Sequence, residues 1–394
     1  MPQSSSIRTA AAVVREVRPG SHADQALRAA FKEGRAMQPA ERRAIAGATF
    51  AYFRWNRWLD ARMKLEDRVA RALELQRRFD AESSIPGDSR PLTLAAPDWV
   101  LNEIDFGEDA DADRRRENWA RSLQSTAPLW IRARPTTAAA LAATLGDCMP
   151  PSDSLAIPCP DALRYAGSKD LFKTPQFNAG EFEIQDIASQ AVGTVCAPKP
   201  GGTWWDACAG EGGKSLHLAD QMANKGVVWC TDRSSRRAAV LKRRFGRAKL
   251  FNYRLGPWDG TERLPTRTKF DGILVDAPCS GVGTWRRNPD ARWTTSAADV
   301  AELAGVQHRM LDAVAGSLKP GGRLVYAVCT LTRRETTEVA AAFTAAHPEL
   351  EPIAFFPSPT FADRSPNSDL RSSLFLWPQD TDGNGMFIAA WRRR

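Results

Sequence analysis

The spacing of hydrophobic residues changes along the chain and divides it into a helical first part and an alternating last part. Over residues 1–80 apolar positions recur at helical spacing, most clearly in 24–31 and 39–63. From about residue 199, short apolar runs bounded by Gly, Pro and Asp alternate with helical stretches. This alternation predicts an α/β domain with a parallel, doubly wound sheet.

Five apolar runs in the last part are predicted as strands of that sheet, and a sixth run is predicted to add a closing hairpin. They are Thr203–Ala207, Val227–Thr231, Leu250–Tyr253, Gly272–Val275, Arg323–Ala327 and, for the hairpin, Met386–Trp391. Lys319-Pro-Gly-Gly322 is predicted as the turn before the fifth run.

The middle of the chain has a mixed pattern. Residues 81–97 are rich in Pro, Ser and Gly and are predicted to be a linker. A helical region follows from Asp98 to Leu123, then a short strand in PLWIRARP and a helix over Phe182–Val192. The predicted organisation is a helical domain (1–80), the linker (81–97), a helical and α+β subdomain (98–195) and the α/β domain (196–394).

Composition favours a globular protein that remains in the cytoplasm. The 394 residues are 43% hydrophobic and 25% charged, and no apolar run approaches the ~18 residues of a membrane span. The first residues lack the charged start, apolar run and cleavage site of a signal peptide. Seven cysteines, scattered without metal-ligand spacing, indicate reduced thiols and no metal.

Charge leaves the question of a partner open. An excess of 54 Lys and Arg over 46 Asp and Glu gives a net charge of +8, which suits an anionic partner such as nucleic acid but also occurs in proteins that bind none. The third helical stretch interleaves arginines with aromatic residues, namely Arg42, Arg43, Arg54, Arg57 and Arg62 among Phe50, Tyr52, Phe53, Trp55 and Trp58. This pattern fits a solvated face over an aromatic core, and it also fits an RNA-contacting face.

A glycine-rich turn follows the first predicted strand of the α/β domain. The segment from Asp206 to Ser215 contains Gly210, Gly212 and Gly213, which allow close approach of a ligand to the start of a helix. A Walker loop would need Gly at Cys208, and a dinucleotide fingerprint would need Gly or Ala at Ser215.

S-adenosylmethionine fits the same turn better than a nucleotide does. Its cationic methionine end suits an acid near the turn, such as Asp206. Asp232, which ends the second predicted strand, is placed to accept hydrogen bonds from both ribose hydroxyls. Each acid alone is weak support, because an Asp at the end of a strand commonly caps the next helix.

Thiols follow two of the predicted strands. The fourth strand ends on Asp276, and Pro278-Cys279 follows it; Cys329 follows the fifth strand. The carboxyl ends of neighbouring parallel strands meet at one edge of a sheet, where open α/β sheets bind ligands. A lone buried cysteine is usually inert packing, but two thiols beside an acid and a cofactor turn favour a reactive site.

Three motifs in this order resemble the RNA cytosine-5 methyltransferase family of the RsmB (Fmu) and NSUN type. They are DACAGEGGK, VDAPCSGVGTWRRNPDARW and VYAVCTLTRRE. The resemblance covers roughly residues 98–394 and includes PLWIRARP, FEIQDIASQAV and DGNGMFIAA. The N-terminal helices are similar, more faintly, to the NusB-like RNA-binding domain that bacterial members carry.

The resemblance implies methylation of carbon-5 of cytosine in RNA, with S-adenosylmethionine as cofactor. It assigns attack on carbon-6 to Cys329, assistance in product release to Cys279, and a hydrogen bond to the cytosine edge to Asp276. Pro278-Cys279 remains a rival nucleophile, because enzymes that methylate carbon-5 of cytosine in DNA attack with a Pro-Cys thiol. The residues implied to line the cofactor pocket are Cys208, Ala209, Gly210, Glu211, Gly212, Gly213, Lys214, Asp232 and Asp276.

The chain departs from the family pattern in the cofactor turn and before the proposed nucleophile. Glu211 stands where many members have Pro, and Val328 stands where Thr often precedes the nucleophile. Family members often have an acid after the third strand. In this chain only Asn252 and Asp259 are candidates for that position, which stays unassigned.

The expected partner is RNA, with ribosomal RNA favoured over transfer RNA by the NusB-like start. Arg286, Arg287 and Arg292 flank the Cys279 loop and are predicted to contact RNA, with a solvated loop as the alternative. A monomer with no membrane association is expected. Two other classes stay open: a non-catalytic RNA-binding module, and a P-loop NTPase with Lys214 on phosphates and Asp276 on a metal.

Overall fold

The computed structural model describes residues 2–34, 37–82, 89–152, 155–354 and 372–394. The helices are α1 (Pro2–Glu16), α2 (Ala23–Glu33), α3 (Pro39–Trp55), α4 (Leu65–Glu82), α5 (Asp98–Glu103), α6 (Ala112–Gln124), α7 (Ala138–Leu145), α8 (Pro175–Ala179), α9 (Ile187–Cys196), α10 (Gly213–Gln221), α11 (Ser235–Arg247), α12 (Ala291–Thr294), α13 (Ala297–Ala315), α14 (Thr337–Ala346) and α15 (Pro378–Thr381). Single 3-10 turns lie at Asn56–Trp58, Leu92–Ala95, Leu171–Lys173, Val282–Thr284 and Arg333–Glu335.

The strands are β1 (Leu129–Ala133), β2 (Cys148–Met149), β3 (Ala162–Tyr165), β4 (Phe182–Ile184), β5 (Thr203–Asp206), β6 (Val227–Thr231), β7 (Tyr253–Gly256), β8 (Phe270–Asp276), β9 (Leu318–Val328), β10 (Leu350–Pro352), β11 (Ser373–Leu376) and β12 (Met386–Arg393). Two compact units contain these elements: Met1–Ala127 with Gly281–Asp299, and Pro128–Ser280 with Val300–Arg394.

The larger sheet of the second unit has the order β10-β12-β9-β8-β5-β6-β7, and β11 pairs with β12. From β7 to β9 all neighbouring strands are parallel, and β12 joins β9 antiparallel. The predicted α/β sheet is therefore confirmed, and so is the predicted closing strand at Met386.

The core lies on both faces of this sheet, because the parallel strands are apolar along their length. In β8, Leu274 packs on one face with α9, α10 and α11, whereas Ile273 and Val275 pack on the other with α13 and α14. Helices on both faces leave the carboxyl ends of the strands as the open edge where ligands can bind.

A smaller antiparallel sheet with the order β2-β3-β1-β4 precedes the larger one in the chain. Ile131, Leu163 and Phe182 from its strands form a core with Leu141 and Leu145 of α7. The prediction of one helix over Phe182–Val192 is wrong at its start. Phe182–Ile184 form a strand of this sheet, and side chains along a strand point alternately to its two faces. Helix α9 begins only after Asp186, whose carboxylate accepts a hydrogen bond from the Ala188 amide at 3.0 Å.

Two boundaries in the larger sheet also differ from prediction. The third strand begins at Tyr253 rather than Leu250, because Leu250 closes α11: its amide donates to the Phe245 carbonyl at 3.1 Å. Lys319–Gly322 is not a turn before the strand but an irregularity within β9, where the register to β8 shifts and Gly321 has a φ of 75°.

The first unit is helical in its N-terminal part. Trp55 of α3 is fully buried against Trp58 and Phe79, and its indole N–H donates to Gln76 Oε1 at 3.1 Å. Arg54 is also buried, so an aromatic core explains part of the arginine-rich pattern. The likeness to NusB stays a prediction.

The segment Gly281–Asp299 belongs to this helical unit, since the Trp293 indole donates to the Phe53 carbonyl at 2.7 Å. The compact units thus divide the chain at places other than residues 80, 97 and 195, and the four predicted segments stay a proposal. Residues 83–88 of the predicted linker lie outside the described residues. Within the described ranges, none of the helices combines the length and the apolar character needed to cross a membrane.

Candidate active site

A cavity of about 570 Å³ opens at the carboxyl edge of the larger sheet, where the strand order reverses between β5 and β8. Such a reversal creates a crevice that binds ligands in open α/β folds. Of the nine residues that the family resemblance implies for the cofactor pocket, all except Gly212 line this cavity. The apolar wall of the cavity includes Trp258, Val306 and Met310, which the sequence did not single out because isolated apolar residues in helices and loops look like ordinary core.

The glycine turn connects β5 to α10. Gly210 and Gly212 both have positive φ, 55° and 87°. A Cβ atom on Gly212 would lie 2.6 Å from Leu241 Cγ, so this position requires glycine for space as well as for conformation. The turn itself ends the strand at the cavity and directs the N-terminus of α10 toward it.

Asp232 follows β6 and lies directly against the glycine turn. Its Oδ2 accepts a hydrogen bond from the Gly210 amide at 3.0 Å, and its Oδ1 accepts one from the Ser234 amide at 2.7 Å. A carboxylate oxygen has two lone pairs, so each oxygen keeps capacity for a ligand hydroxyl. The side chain also lines the cavity.

Asp276, at the end of β8, forms an ion pair with Lys214 of α10. The distance from Lys214 Nζ to Asp276 Oδ2 is 2.7 Å, and the lysine side chain is only 12% exposed. Burial disfavours the charged ammonium, but the charge and hydrogen bond of Asp276 outweigh it and raise the pKa of Lys214 above its ordinary value. The cavity floor therefore carries a fixed positive and negative charge side by side.

Asp206 has a different place from the one expected of an acid facing the cofactor. It is 1% exposed, is not among the residues that line the cavity, and accepts a hydrogen bond from the Ser215 hydroxyl at 2.6 Å. Burial raises the pKa of Asp206 to about 7, and the Ser215 hydrogen bond opposes that shift. Asp276, rather than Asp206, is the acid that borders the cavity beside Lys214.

The two cysteines predicted for catalysis lie together. Cys279 Sγ and Cys329 Sγ are 3.3 Å apart, and both residues line the cavity. Parallel pairing of β8 and β9 sets Asp276 opposite Ala327, so the residues that follow the two strands emerge side by side. The thiols therefore share the cavity with the glycine turn and with Asp276.

The environment of Cys329 favours its thiolate. A hydrogen bond from the Cys279 thiol lowers the pKa of Cys329 below its ordinary value, against burial and the charge of Asp276, which raise it; Lys214 adds to the lowering. A thiolate is the nucleophilic form of cysteine. Either sulfur can donate at this distance, and the lowered pKa of Cys329 corresponds to the arrangement in which Cys279 donates.

The three arginines predicted to contact RNA lie in the first unit and are not equivalent. Arg292 is fully buried, and its guanidinium donates to carbonyl oxygens of Ala95, Leu123 and Trp285. This corrects the prediction that Arg292 contacts RNA. The hydrogen bonds of its buried guanidinium join segments of the first unit to one another. Arg286 is also buried and donates to the Thr126 carbonyl at 3.0 Å, whereas Arg287 is only half-buried.

The two candidates for a cofactor contact after the third strand, Asp259 and Asn252, differ from each other in position. Asp259 lines the cavity, and hydrogen bonds from Thr261 hold the pKa of this exposed carboxyl below its ordinary value. Asn252 does not line the cavity; it is buried, and its backbone amide donates to Asn224 Oδ1.

The doubly wound sheet, the glycine turn at its switch point and the bordering acids are those of an S-adenosylmethionine-dependent methyltransferase, and S-adenosylmethionine is the cofactor of this class. The family model described as 16S rRNA methyltransferase RsmB/F matches residues 193–392, just over half of the 394 residues. The chain belongs to this family, as its motifs predict.

Two curated relatives show how far the similarity extends. The probable ribosomal RNA small subunit methyltransferase B of Bacillus subtilis is 42% identical over 178 residues, 45% of this chain and 40% of the relative. The protein of the same description from Synechocystis is 30% identical over 303 residues, 74% of this chain and 66% of the relative. The chain thus spans less than two thirds of either relative.

A solved structure has the same fold in the matched region. The crystal structure of a methyltransferase homolog protein from Pyrococcus horikoshii is similar with a TM-score of 0.59 and 25% identity, covering 76% of this chain and 100% of that one.

Proposed function

We propose that this protein methylates carbon-5 of a cytosine in small-subunit ribosomal RNA, through a covalent adduct between Cys329 and carbon-6 of the base. The observation that carries the proposal is the pair of thiols 3.3 Å apart at the cofactor cavity, with the pKa of Cys329 lowered by the Cys279 hydrogen bond. The names of the curated relatives support ribosomal RNA as the substrate.

Carbon-5 of cytosine is a poor nucleophile in the aromatic base. Addition of the Cys329 thiolate to carbon-6 forms a carbon–sulfur bond and turns carbon-5 into the nucleophilic end of an enamine. After carbon-5 has taken the methyl group, a base removes the carbon-5 proton, the bonding pair left behind forms the carbon-5–carbon-6 double bond, and Cys329 leaves carbon-6 as a thiolate. Cys279, whose sulfur lies 3.3 Å from that of Cys329, assists this release.

Asp276 stabilises the base while the thiol adds. Its carboxylate borders the cavity beside both thiols and is held by Lys214 at 2.7 Å. In the proposed role Asp276 hydrogen-bonds the cytosine edge and favours the protonated base as negative charge develops. The pKa of Lys214 is raised, so the ammonium keeps its proton and holds the carboxylate in place.

The residues around the cavity fit S-adenosylmethionine. The turn from Cys208 to Gly213 offers backbone close to the ligand, and Asp232 offers carboxylate oxygens for the ribose hydroxyls. Trp258 and Met310 offer an apolar wall of the kind that suits a purine ring. When bound, S-adenosylmethionine supplies an electrophilic methyl group. Asp259 is proposed as the further cofactor contact after the third strand.

RNA docking is proposed to use Arg287, the half-buried arginine of the segment 281–299. We further propose that the protein acts in the cytoplasm as a monomer; none of its seven cysteines, all of which the structure describes, is bridged in a disulfide, which suits a reducing compartment.

Bisulfite sequencing of ribosomal RNA tests the function. Methylation at carbon-5 protects cytosine from deamination, so RNA from a strain that lacks the gene should lose protection at one small-subunit cytosine, and the wild-type gene should restore it. An unchanged pattern of protected cytosines in the deletion strain would contradict the proposed substrate.

Asp232→Ala should weaken S-adenosylmethionine binding at least about 100-fold, because two hydrogen bonds to a charged acceptor are worth roughly 1.5–3 kcal/mol each and every 1.4 kcal/mol is about tenfold. Isothermal titration calorimetry measures the affinity. Glu302→Ala, which removes an exposed carboxylate of α13 that does not line the cavity, is the control. Equal affinity in Asp232→Ala and the parent protein, with both folded, would remove Asp232 from the cofactor site.

A further inference from the structure

A buried glutamate lies behind the two thiols and has no part in the mechanism above. Glu335 ends the 3-10 turn Arg333–Glu335 and is 0% exposed. In sequence it follows Thr332 at the spacing of a helix capping box, so it suggests only the start of a helix. In the structure α14 begins two residues later, and the Glu335 side chain points into a set of buried hydrogen-bond donors.

On one side the Glu335 carboxylate holds the loop that carries Cys279. Its Oε1 accepts a hydrogen bond from the Ser280 amide at 2.8 Å, and its Oε2 accepts one from the Ser280 hydroxyl at 2.5 Å. Ser280 is the residue next to Cys279 in the chain, so the backbone beside this thiol is fixed by the carboxylate.

On the other side the same carboxylate holds the loop that carries Cys329. Oε2 accepts hydrogen bonds from the hydroxyls of Thr330 at 3.1 Å and Thr332 at 2.8 Å. The Ser280 and Thr330 hydroxyls are also 3.0 Å apart. One buried carboxylate thus links the chain directly after each of the two thiols.

A second layer fixes the carboxylate. The Gln307 amide of α13 donates to Glu335 Oε1 at 3.1 Å and to the Pro278 carbonyl at 2.9 Å. The Tyr326 hydroxyl, which has one proton to donate, lies 2.6 Å from the Glu335 carbonyl and 3.0 Å from Gln307 Oε1. Buried networks of this kind, with every member bonded, hold one arrangement of the backbone.

We propose that Glu335 is a positioning residue that holds the Cys279 and Cys329 loops in register, so that the two thiols stay within hydrogen-bond distance of each other. Glu335 would act in this way in the protein without RNA. The inference rests on the proposed function only in taking the two thiols to be catalytic. Glu335 contacts neither the cofactor cavity nor the reacting atoms; it acts through the two loops.

Replacing the carboxylate by an amide has two opposite effects on Cys329. Glu335→Gln puts N–H groups against donors such as the Ser280 amide, so the loops move apart and Cys329 loses the hydrogen bond that lowers its pKa. The same change also removes the negative charge of Glu335. That charge raises the pKa of Cys329, so its loss alone would lower the pKa of Cys329. The hydrogen bond is the larger influence, so positioning predicts a rise and charge alone predicts a fall.

The test is the pH dependence of Cys329 alkylation by iodoacetamide in the full-length protein without RNA. The thiolate displaces iodide and forms a carbon–sulfur bond, and peptide mass spectrometry follows Cys329 separately from the other cysteines. Glu335→Gln should move the midpoint to higher pH and slow alkylation about fivefold below that midpoint, since one pH unit is tenfold. Glu338→Gln, an exposed glutamate on α14, should match the parent protein.

Thr332→Val provides a milder variant, since it keeps the side-chain volume and removes one donor to Glu335. It should shift the Cys329 midpoint in the same direction by less, and in methylation assays lower kcat with little change in the KM for RNA. A midpoint that falls in Glu335→Gln, or that stays unchanged in both folded variants, would overturn the positioning role. Because alkylation needs no RNA, this result stands apart from any failure to observe methylation.

Discussion

Replacing Cys329 by alanine should abolish methylation, by at least about 10³-fold, and should leave no covalent complex with RNA, whereas Cys279→Ala should accumulate one. The reason is that the hydrogen bond with Cys279 lowers the pKa of Cys329, so Cys329 is the thiol assigned to attack. Without Cys329 the enamine cannot form. Without Cys279 attack and methyl transfer proceed, but release stalls and RNA stays bound to protein.

Denaturing electrophoresis separates these outcomes, since a carbon–sulfur bond survives reducing agents. Cys148→Ala is a suitable control, because this cysteine lies in β2 of the smaller sheet. It should show parental methylation and no accumulated complex. Accumulation of RNA complex in Cys329→Ala instead of Cys279→Ala would reverse the roles, in line with the Pro-Cys nucleophile of DNA methyltransferases.

Arg292→Met should lower the free energy of unfolding by about 3 kcal/mol, because it removes the donors to several buried carbonyl groups. The guanidinium lies among the carbonyls of Ala95, Leu123 and Trp285 and the Gln124 side chain, at 0% exposure. Burial and the nearby Arg54 lower the pKa of Arg292, and Asp290 opposes them. Urea unfolding measures the change.

The control for this prediction is Arg43→Met, an exposed arginine of the same unit. It should change the free energy of unfolding by no more than about 0.5 kcal/mol. An Arg292→Met protein with parental stability but weaker RNA binding would restore the original prediction that this residue contacts RNA.

The sheet could be predicted because its strands obey local rules. Val227–Thr231 is an apolar run closed by an acid, and it forms a strand with the predicted bounds. Leu250 was misplaced because an apolar residue that closes a helix looks the same in sequence as one that begins a strand. Phe182 was misplaced because a three-residue strand before a helix cap shares the helix's apolar pattern.

The grouping of Gly210, Asp232 and Asp276 around one cavity could also be predicted from sequence, since the first two follow strands, Asp276 ends a strand, and parallel strands end at one edge. The burial of Arg292 could not, because arginine in a basic, aromatic segment gives the same pattern on a surface and in a core. Glu335 was missed because its donors Ser280 and Thr332 lie on different loops, and only the paired strands bring them together.

The most direct measurement is mass spectrometry of the peptide that carries the RNA adduct in Cys279→Ala. Trypsin places Cys329 and Cys279 in different peptides, Leu324–Arg333 and Phe270–Arg286. After incubation with ribosomal RNA and S-adenosylmethionine, followed by nuclease and trypsin digestion, Leu324–Arg333 should carry a methylated cytidine nucleotide on Cys329. A nucleotide on Phe270–Arg286 in the Cys329→Ala protein, or methylated RNA made by Cys329→Ala, would contradict attack by Cys329.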